Sequence, residues 1–276
     1  MLDSNQVIRY SRQLILKDIG VEGQEKLLKA KILVVGAGGL GAPALYYLAS
    51  AGVGTIGVID FDVIGLSNLQ RQILYTTEDI NRKKVDVAAE RLKQLNPDIN
   101  IVKYSKRLDI NNVEEIISEY DVIIDAPDNF STRYLVSDCC YFMKKPLIEG
   151  AVVGFTGILT TILPGESPCY RCLYPKPPRD GHVAGCADIG ILGAVAGTIG
   201  SLQAMEAIKV CLGIGEVLSG RVLSFNGLDI GFNEIILEKN KHCPLCGENP
   251  EITELHEYQM NYCASKVRSM LKDSEE

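Results

Sequence analysis

The segment KILVVGAGGLG, residues 31–41, constrains the fold of this chain more than any other feature of its sequence. An apolar run ends in glycines, a helical pattern follows over 40–51, and a second apolar run, TIGVIDFD, comes next. Strand, glycine turn, helix and strand in this order form a βαβ unit, whose two strands are parallel and covered by helices. Because the pattern repeats to about residue 150, we predict an α/β fold with a doubly wound, Rossmann-like, mainly parallel sheet.

The second half of the chain has a different pattern. The stretches LIEGAVVGFTGILTTILP and RVLSFNGLDIGFNEIILE are rich in strand-forming residues and lack clear crossover helices, so we predict that antiparallel strands continue the sheet. We expect a single domain over 1–276 with four parts. These are a helical N-terminal arm (1–28), a nucleotide-binding half (29–150), a second half (151–262) and a tail (263–276).

The charge and hydropathy of the chain exclude several classes of partner. With 28 basic and 35 acidic side chains the net charge is −7, which disfavours binding to nucleic acid or to anionic lipid. The N-terminus lacks the basic start and apolar run of a signal peptide. The uncharged stretch between Asp188 and Glu206 contains four glycines and falls short of a membrane span. We therefore expect a cytoplasmic protein that binds neither membrane nor nucleic acid, with a buried helix from Ile189 to Leu212.

The glycine turn is typical of a nucleotide site. Gly36, Gly38 and Gly41 have GxGxxG spacing in front of a predicted helix. Glycine lets the backbone approach a phosphate closely, and the helix N-terminus offers unpaired N–H groups. Asp60, at the end of the second strand, stands where a carboxylate usually binds ribose hydroxyls, although an aspartate that caps a turn is the alternative. On these residues alone, an NAD-dependent dehydrogenase is the natural interpretation.

Three charged residues favour ATP over NAD. Arg71 lies in SNLQRQ (67–72), Lys83 and Lys84 open a helix predicted over 83–95, and Asp128 begins DNFSTR (128–133). Arg71 and Lys84 can neutralise charge on phosphate oxygens, and Asp128 can hold a Mg²⁺ ion that bridges them. Nucleotidyl transfer needs such a cluster, whereas hydride transfer does not. We predict ATP- and Mg²⁺-dependent chemistry and keep an NAD-dependent, zinc-stabilised oxidoreductase as the alternative.

Two CxxC pairs predict a metal site. They are Cys169 with Cys172, and Cys243 with Cys246, among nine cysteines in the chain. Four thiolates complete a closed tetrahedral zinc site without an open coordination position. A redox dithiol needs only one pair, and a disulfide conflicts with a reducing compartment. We therefore predict a structural Zn²⁺ that ties the two segments together.

The chain resembles the E1-like activating enzymes of ThiF/MoeB type from Arg12 to about Tyr262. The elements that carry the resemblance are GAGGLG (36–41), DFDVIGLSNLQRQ (60–72), DNxxxR (128–133), SLQAMEAIK (201–209) and both CxxC pairs. The resemblance implies a homodimer that adenylylates the C-terminal glycine of a ubiquitin-like sulfur carrier ending in Gly-Gly. A ThiS-like carrier would serve thiamine thiazole synthesis and a MoaD-like carrier molybdopterin synthesis. A non-catalytic scaffold that binds nucleotide and carrier is a further alternative.

The resemblance also implies roles for single residues. Gly39 would border the phosphates, while Lys84 and Asp128 would be the basic and the Mg²⁺-linked catalytic residues. The family often has Gly and Pro shortly before this lysine, whereas NRKK stands here, so Lys83 competes for the role. Arg12 would reach the triphosphate bound by the partner subunit, the alternative being a solvated arginine on an amphipathic arm. The remaining nucleotide-binding residues would be Asp60, Ser67, Asn68, Leu69, Gln70, Arg71 and Asn129.

Cys186 lies in a glycine-rich loop before the helix predicted from Ile189, where helix N–H groups would favour a thiolate. The ThiF branch of the resemblance implies a covalent link between this cysteine and the carrier during sulfur transfer. In the MoeB branch a cysteine stands here without being needed for adenylylation, and both interpretations stay open. We see no rhodanese-like extension after the second CxxC pair and therefore expect a separate sulfur donor.

Overall fold

The computed structural model describes residues 1–177 and 189–258. Within these residues the chain forms one sheet of eight strands. The strands are β1 (Lys31–Val35), β2 (Thr55–Ile59), β3 (Asn100–Tyr104), β4 (Val122–Asp125), β5 (Leu147–Val153), β6 (Thr156–Ile162), β7 (Arg221–Asn226) and β8 (Gly231–Ile236). Their order across the sheet is β3-β2-β1-β4-β5-β6-β7-β8.

The pairing changes direction at β5. The strands from β3 to β5 are parallel, and β6, β7 and β8 are added in antiparallel fashion. β5 itself pairs in parallel with β4 and antiparallel with β6, so the expected boundary at residue 150 lies inside this strand. The predicted doubly wound sheet with an antiparallel continuation is confirmed. Chain order reverses on either side of β1, which makes the carboxyl end of β1 the usual position for a ligand.

Helices cover both faces of the sheet. In the described ranges they are α1 (Ser4–Arg9), α2 (Ser11–Leu14), α3 (Gly20–Leu27), α4 (Gly41–Ala51), α5 (Lys84–Leu95), α6 (Val113–Ser118), α7 (Phe130–Phe142), α8 (Tyr170–Leu173) and α9 (Gly193–Leu212). The first three make up the predicted arm. The helix expected from Ile189 begins instead at Gly193, because the backbone of Gly190 and Leu192 hydrogen-bonds to Gly154 after β5.

The central parallel strands β1, β2 and β4 are buried on both faces, whereas the edge strand β3 is only partly buried. Along β1, Ile32 and Val34 join one apolar cluster, whereas Leu33 and Val35 join the cluster on the opposite face. Burial on both faces explains why these strands read as continuous apolar runs rather than as an alternating pattern.

α9 is a central helix of the fold. By length and composition alone it could cross a membrane, yet half of its most apolar window is buried inside the protein. Gln203 Nε2 donates to the backbone oxygens of Asp125 (2.8 Å), at the end of β4, and of Ile148 (3.2 Å), near the start of β5. The predicted buried helix is therefore present, and its polar side chains bind the sheet.

Candidate nucleotide and metal sites

The glycine turn after β1 is closely packed on two sides. Gly36 has φ +95°, and a Cβ there would lie 2.7 Å from the carbonyl oxygen of Ala126. A Cβ on Gly41 would lie 1.9 Å from the carbonyl oxygen of Gly36. The Tyr75 hydroxyl donates to the Ala37 oxygen (2.8 Å) and holds the turn from a third side. These contacts require glycine at the two positions and bring the ends of β1 and β4 together.

Asp60, which directly follows β2, hydrogen-bonds to the backbone of the glycine turn. One carboxylate oxygen accepts a hydrogen bond from Ala37 N (2.9 Å) and the other accepts one from Asp62 N (2.8 Å). Burial raises the pKa of Asp60, while the Lys84 ammonium and these backbone N–H groups oppose that shift. An acceptor carboxylate therefore lies directly beside the glycine turn.

The structure distinguishes the two candidate lysines. Lys84 Nζ lies 2.8 Å from Asp62 Oδ2 and 3.7 Å from Asp60 Oδ2, and its side chain is only 6% exposed. Lys83 has an extended backbone, precedes α5 and is exposed. Lys84 alone of this pair contributes its ammonium to the cluster around Asp60.

Arg71 packs against the glycine turn at Gly39. Its Cγ is 3.4 Å from the position of a Cβ on Gly39, and its Nη1 donates to the Ser67 oxygen (2.9 Å). The start of α9 packs on the same segment, since a Cβ on Gly193 would lie 2.4 Å from the Gln70 oxygen. Arg71 is thereby held between the turn and α9.

Other residues of the 67–72 segment have structural contacts. Leu69 packs against the main apolar cluster, and Asn68 Oδ1 accepts a hydrogen bond from Gly65 N (3.2 Å). Gln72 was missed by the sequence reasoning, although it ends the same SNLQRQ motif. It is 4% exposed, its Nε2 lies 3.6 Å from the position of a Cβ on Gly38, and Oε1 has no hydrogen-bond partner among the described residues. An unsatisfied amide oxygen is thus buried next to the turn.

Asp128 reaches the same edge of the sheet from β4. The position of a Cβ on Gly36 is 3.2 Å from the Pro127 nitrogen, so the chain leaving β4 passes beside the turn. Asp128 follows and is exposed. The side chain of Asn129 accepts a hydrogen bond from Thr132 N (2.9 Å) and caps α7. The carboxylate of Asp128 is therefore accessible beside the turn, whereas the Asn129 amide oxygen is used by the helix.

Within one chain, Arg12 lies far from the glycine turn. It is exposed on α2, and the neighbouring Gln13 Nε2 donates to the Ala51 oxygen (3.1 Å) at the C-terminal end of α4. The glycine turn lies at the opposite end of this helix, about 16 Å away along its axis. Cys186 and the tail 263–276 lie outside the described residues.

The four cysteines of the CxxC pairs form one cluster. Cys169 Sγ lies 3.9 Å from Cys172 Sγ and 3.5 Å from Cys243 Sγ, and Cys172 Sγ lies 3.3 Å from Cys246 Sγ. All four sulfurs are within 4.8 Å of one another. Zn–S bonds of about 2.3 Å give a tetrahedron with edges of about 3.8 Å, which matches these separations. The cluster can hold one tetrahedral metal ion.

A buried ion pair fixes the first CxxC turn. Arg171, between its two cysteines, makes two hydrogen bonds to Asp138 on α7, at 3.0 Å and 2.7 Å. The Tyr258 hydroxyl donates to the same carboxylate (2.8 Å), and the guanidinium lies 4.4 Å from the ring centroid of Tyr134. Planar charge pairing and ring stacking both favour arginine at this position.

Residues 10–245 match the ThiF family. The chain belongs to this family. The predicted ThiF/MoeB resemblance is therefore confirmed. The chain is 48% identical over 256 residues to the sulfur carrier protein adenylyltransferase of Thermus thermophilus, covering 91% of this chain and 94% of the relative. It is 47% identical over 247 residues to the SAMP-activating enzyme E1 of Haloferax volcanii, covering 90% and 91% respectively.

Other relatives of this ThiF-family chain are longer. It is 46% identical over 274 residues to the adenylyltransferase and sulfurtransferase MOCS3 of Culex quinquefasciatus, and the match spans 99% of this chain but 62% of the Culex protein. Among solved structures, E. coli MccB crystallised with ATP has a TM-score of 0.76 and 23% identity, covering 86% of this chain and 74% of MccB. That similarity supports the ThiF-type fold.

Proposed function

We propose that this protein is an ATP- and Mg²⁺-dependent adenylyltransferase that activates the C-terminal glycine of a ubiquitin-like sulfur carrier. The observation that carries this proposal is the convergence of Asp60, Lys84, Arg71 and Asp128 on one glycine turn. The names of the Thermus and Haloferax relatives support the reaction and the class of partner.

Each charged group has a distinct task in this proposal. Asp60 would accept hydrogen bonds from the ribose, as its position at the end of β2 favours. Arg71 and Lys84 would neutralise charge on the α-phosphate and the departing pyrophosphate. Asp128 would hold Mg²⁺, which when bound supplies further positive charge beside the triphosphate.

The reaction needs no general base. A carboxylate oxygen of the carrier's terminal glycine attacks the α-phosphorus of ATP, the bond from that phosphorus to the bridging oxygen breaks, and pyrophosphate leaves. The product is an acyl-adenylate, a mixed carboxylic–phosphoric anhydride. Because the carboxylate is already ionised at pH 7, catalysis consists of positioning and charge stabilisation.

We further propose a homodimer and a structural Zn²⁺ at the cysteine cluster. Arg12 would reach the triphosphate bound by the partner subunit, and its place at the far end of α4 from its own site supports such a role. The four thiol donors and their separations suit Zn²⁺. A carrier of ThiS or MoaD type would lead to thiamine thiazole or molybdopterin synthesis, with sulfur supplied by a separate donor.

Carrier-dependent ATP–pyrophosphate exchange tests the proposed activity. Purified protein, Mg²⁺, ATP and a ThiS-like or MoaD-like carrier should exchange labelled pyrophosphate into ATP, and the same carrier without its last glycine should not. Absence of exchange with both kinds of carrier would overturn the proposal. Thermal stabilisation by NAD and not by ATP would instead favour an oxidoreductase.

The two adjacent lysines provide a matched pair of variants. Lys84→Ala should lower the exchange rate by about 100-fold or more, because it removes the buried cation beside Asp60 that would neutralise phosphate charge in this proposal. Lys83→Ala should change the rate less than about twofold, as expected for an exposed surface residue. Steady-state exchange at saturating carrier measures both, and equal losses in the two variants would contradict the assignment.

Replacement of Cys186 separates activation from sulfur transfer. Cys186→Ala should leave exchange within about twofold of the wild-type rate, because acyl-adenylate formation breaks no bond to sulfur. If the ThiF-type interpretation holds, the same variant should lose a thiol-sensitive covalent adduct with the carrier on non-reducing gels. Loss of exchange itself would show that the residue acts in the first step.

A further inference from the structure

Two carboxylates and one guanidinium are buried together behind the Asp128 loop. Asp125 ends β4 and is paired in register with Glu149 on β5, so both side chains lie on the same face of the sheet. Arg133 Nη1 lies 2.9 Å from Asp125 Oδ2 and 2.6 Å from Glu149 Oε1. The exposed fractions of the three side chains are 1%, 2% and 9% in the order Asp125, Glu149 and Arg133.

Each carboxylate leaves its second oxygen unsatisfied. Asp125 Oδ1 and Glu149 Oε2 are buried and have no hydrogen-bond partner in the described part of the chain. Such acceptors cost free energy unless a donor is supplied. Gln203, on the other face of the sheet, donates a hydrogen bond to the backbone oxygen of Asp125. This hydrogen bond does not satisfy the side-chain oxygens.

Among the described side chains, Arg133 is the one positively charged group that acts on Asp125 and Glu149. Tyr170 and Tyr174 face the group from the segment that follows β6, and burial raises the pKa of both, so they are neutral at pH 7. Cys140, on α7, is also buried and its thiol stays protonated because burial raises its pKa. Two ionised carboxylates would therefore leave a buried excess negative charge beside Arg133, an expensive arrangement.

We propose that Asp125 and Glu149 share one proton when the protein is folded, and that the resulting singly charged pair positions Arg133 to hold the Asp128 loop. One proton removes the excess charge and turns one of the two unsatisfied acceptors into a donor for the other carboxyl group. Burial and the neighbouring Glu149 carboxylate raise the pKa of Asp125 to about 7, while Arg133 opposes the shift. Burial likewise raises the pKa of Glu149.

One hydrogen bond connects Arg133 to the loop that carries Asp128. Arg133 Nη2 donates to the Pro127 oxygen (2.8 Å), the residue immediately before Asp128. The guanidinium thus uses one nitrogen for the carboxyl pair and another for the loop that carries the proposed Mg²⁺ ligand. Arg133 is a positioning residue in this scheme, and this part of the inference rests on the proposed function.

Infrared spectroscopy tests the shared proton without any activity. At neutral pH the wild-type protein should show the carbonyl stretch of a protonated carboxylic acid. Glu149→Gln and Asp125→Asn should each lose it, because one carboxylate then balances Arg133. The matched control Glu115→Gln, which changes an exposed glutamate, should keep it. Absence of the band from wild-type protein, or its survival in both single variants, would overturn the proposal.

The pH dependence of stability provides a second test. Between the usual carboxyl pKa near 4 and about 7, the folded state binds more protons than the unfolded state, so the stability contributed by this pair falls as pH rises. The wild-type melting temperature should therefore decline relative to that of Glu149→Gln between about pH 5 and about pH 8. A constant difference between the two proteins across this range would contradict a shared proton.

Arg133→Lys tests the positioning role. Lysine keeps the charge but lacks the second nitrogen that reaches Pro127, so kcat for exchange should fall by about 10- to 100-fold and the Mg²⁺ requirement should rise. The KM for ATP should change much less. Unaltered kcat and Mg²⁺ dependence would refute this role. If wild-type protein shows no exchange with any carrier, the proposed function fails, while the infrared band still decides the shared proton.

Discussion

Replacing Asp128 by alanine is expected to lower carrier-dependent ATP–pyrophosphate exchange by about 10³-fold. The carboxylate is exposed beside the glycine turn, where it can place a Mg²⁺ ion next to the triphosphate, and an alanine offers no ligand. The loss should lie in kcat more than in the KM for ATP, because the proposed metal would neutralise charge that grows during the reaction. Exchange measured over a range of Mg²⁺ concentrations checks both parts.

A control variant separates this effect from a general change in surface charge. Glu119→Ala removes an exposed carboxylate at the end of α6 and should leave exchange within about twofold of wild type. Asp128→Ala should still bind ATP in the absence of Mg²⁺ with nearly unchanged affinity. Near-normal exchange by Asp128→Ala at low Mg²⁺ would remove this residue from the proposed site.

Loss of the metal at the cysteine cluster is expected to have the largest effect on stability. Cys243→Ser should bind less than one zinc ion per chain and melt at least about 10 °C lower, because the proposed ion would link segments 74 residues apart in sequence. The three remaining cysteines, of which Cys169 is buried and Cys172 and Cys246 are partly exposed, would offer one ligand too few for a closed tetrahedral site. Metal analysis by atomic emission and thermal denaturation measure the two effects.

Cys211 provides the matched comparison. It lies on α9 outside the cluster, and burial raises its thiol pKa to about 12, so it behaves as a small apolar side chain. Cys211→Ala should keep one zinc ion per chain and lose only a few degrees of melting temperature. A Cys243→Ser protein with full zinc content and wild-type stability would rule out the four-thiolate site.

The sequence predicted the sheet because its signals are local. Glycine positions, apolar runs and the change of pattern near residue 150 all lie within short windows, and they fix strand, turn and direction of pairing. The choice between Lys83 and Lys84 could not be made in this way. It depends on where α5 begins: Lys83 is extended and exposed, whereas Lys84 is the first helical residue and turns toward Asp60.

The partners of the buried charged groups could not be predicted from the sequence either. Arg171 and Asp138 are 33 residues apart, and Arg133 meets Glu149 only because β4 and β5 pair in register. In a one-dimensional pattern such residues look like ordinary solvated charges. Their partners are set by tertiary structure, which local propensities do not contain.

α9 contacts several parts of the protein and therefore couples their unfolding. Its first residue packs on the backbone of the Arg71 segment, Gln203 binds the end of β4 and the start of β5, and Glu206 accepts a hydrogen bond from Thr161 on β6. One helix thus contacts both the segment beside the glycine turn and the antiparallel part of the sheet. Denaturation should therefore be a single cooperative event, and a protein that binds the antiparallel side would contact the same helix that packs on the Arg71 segment.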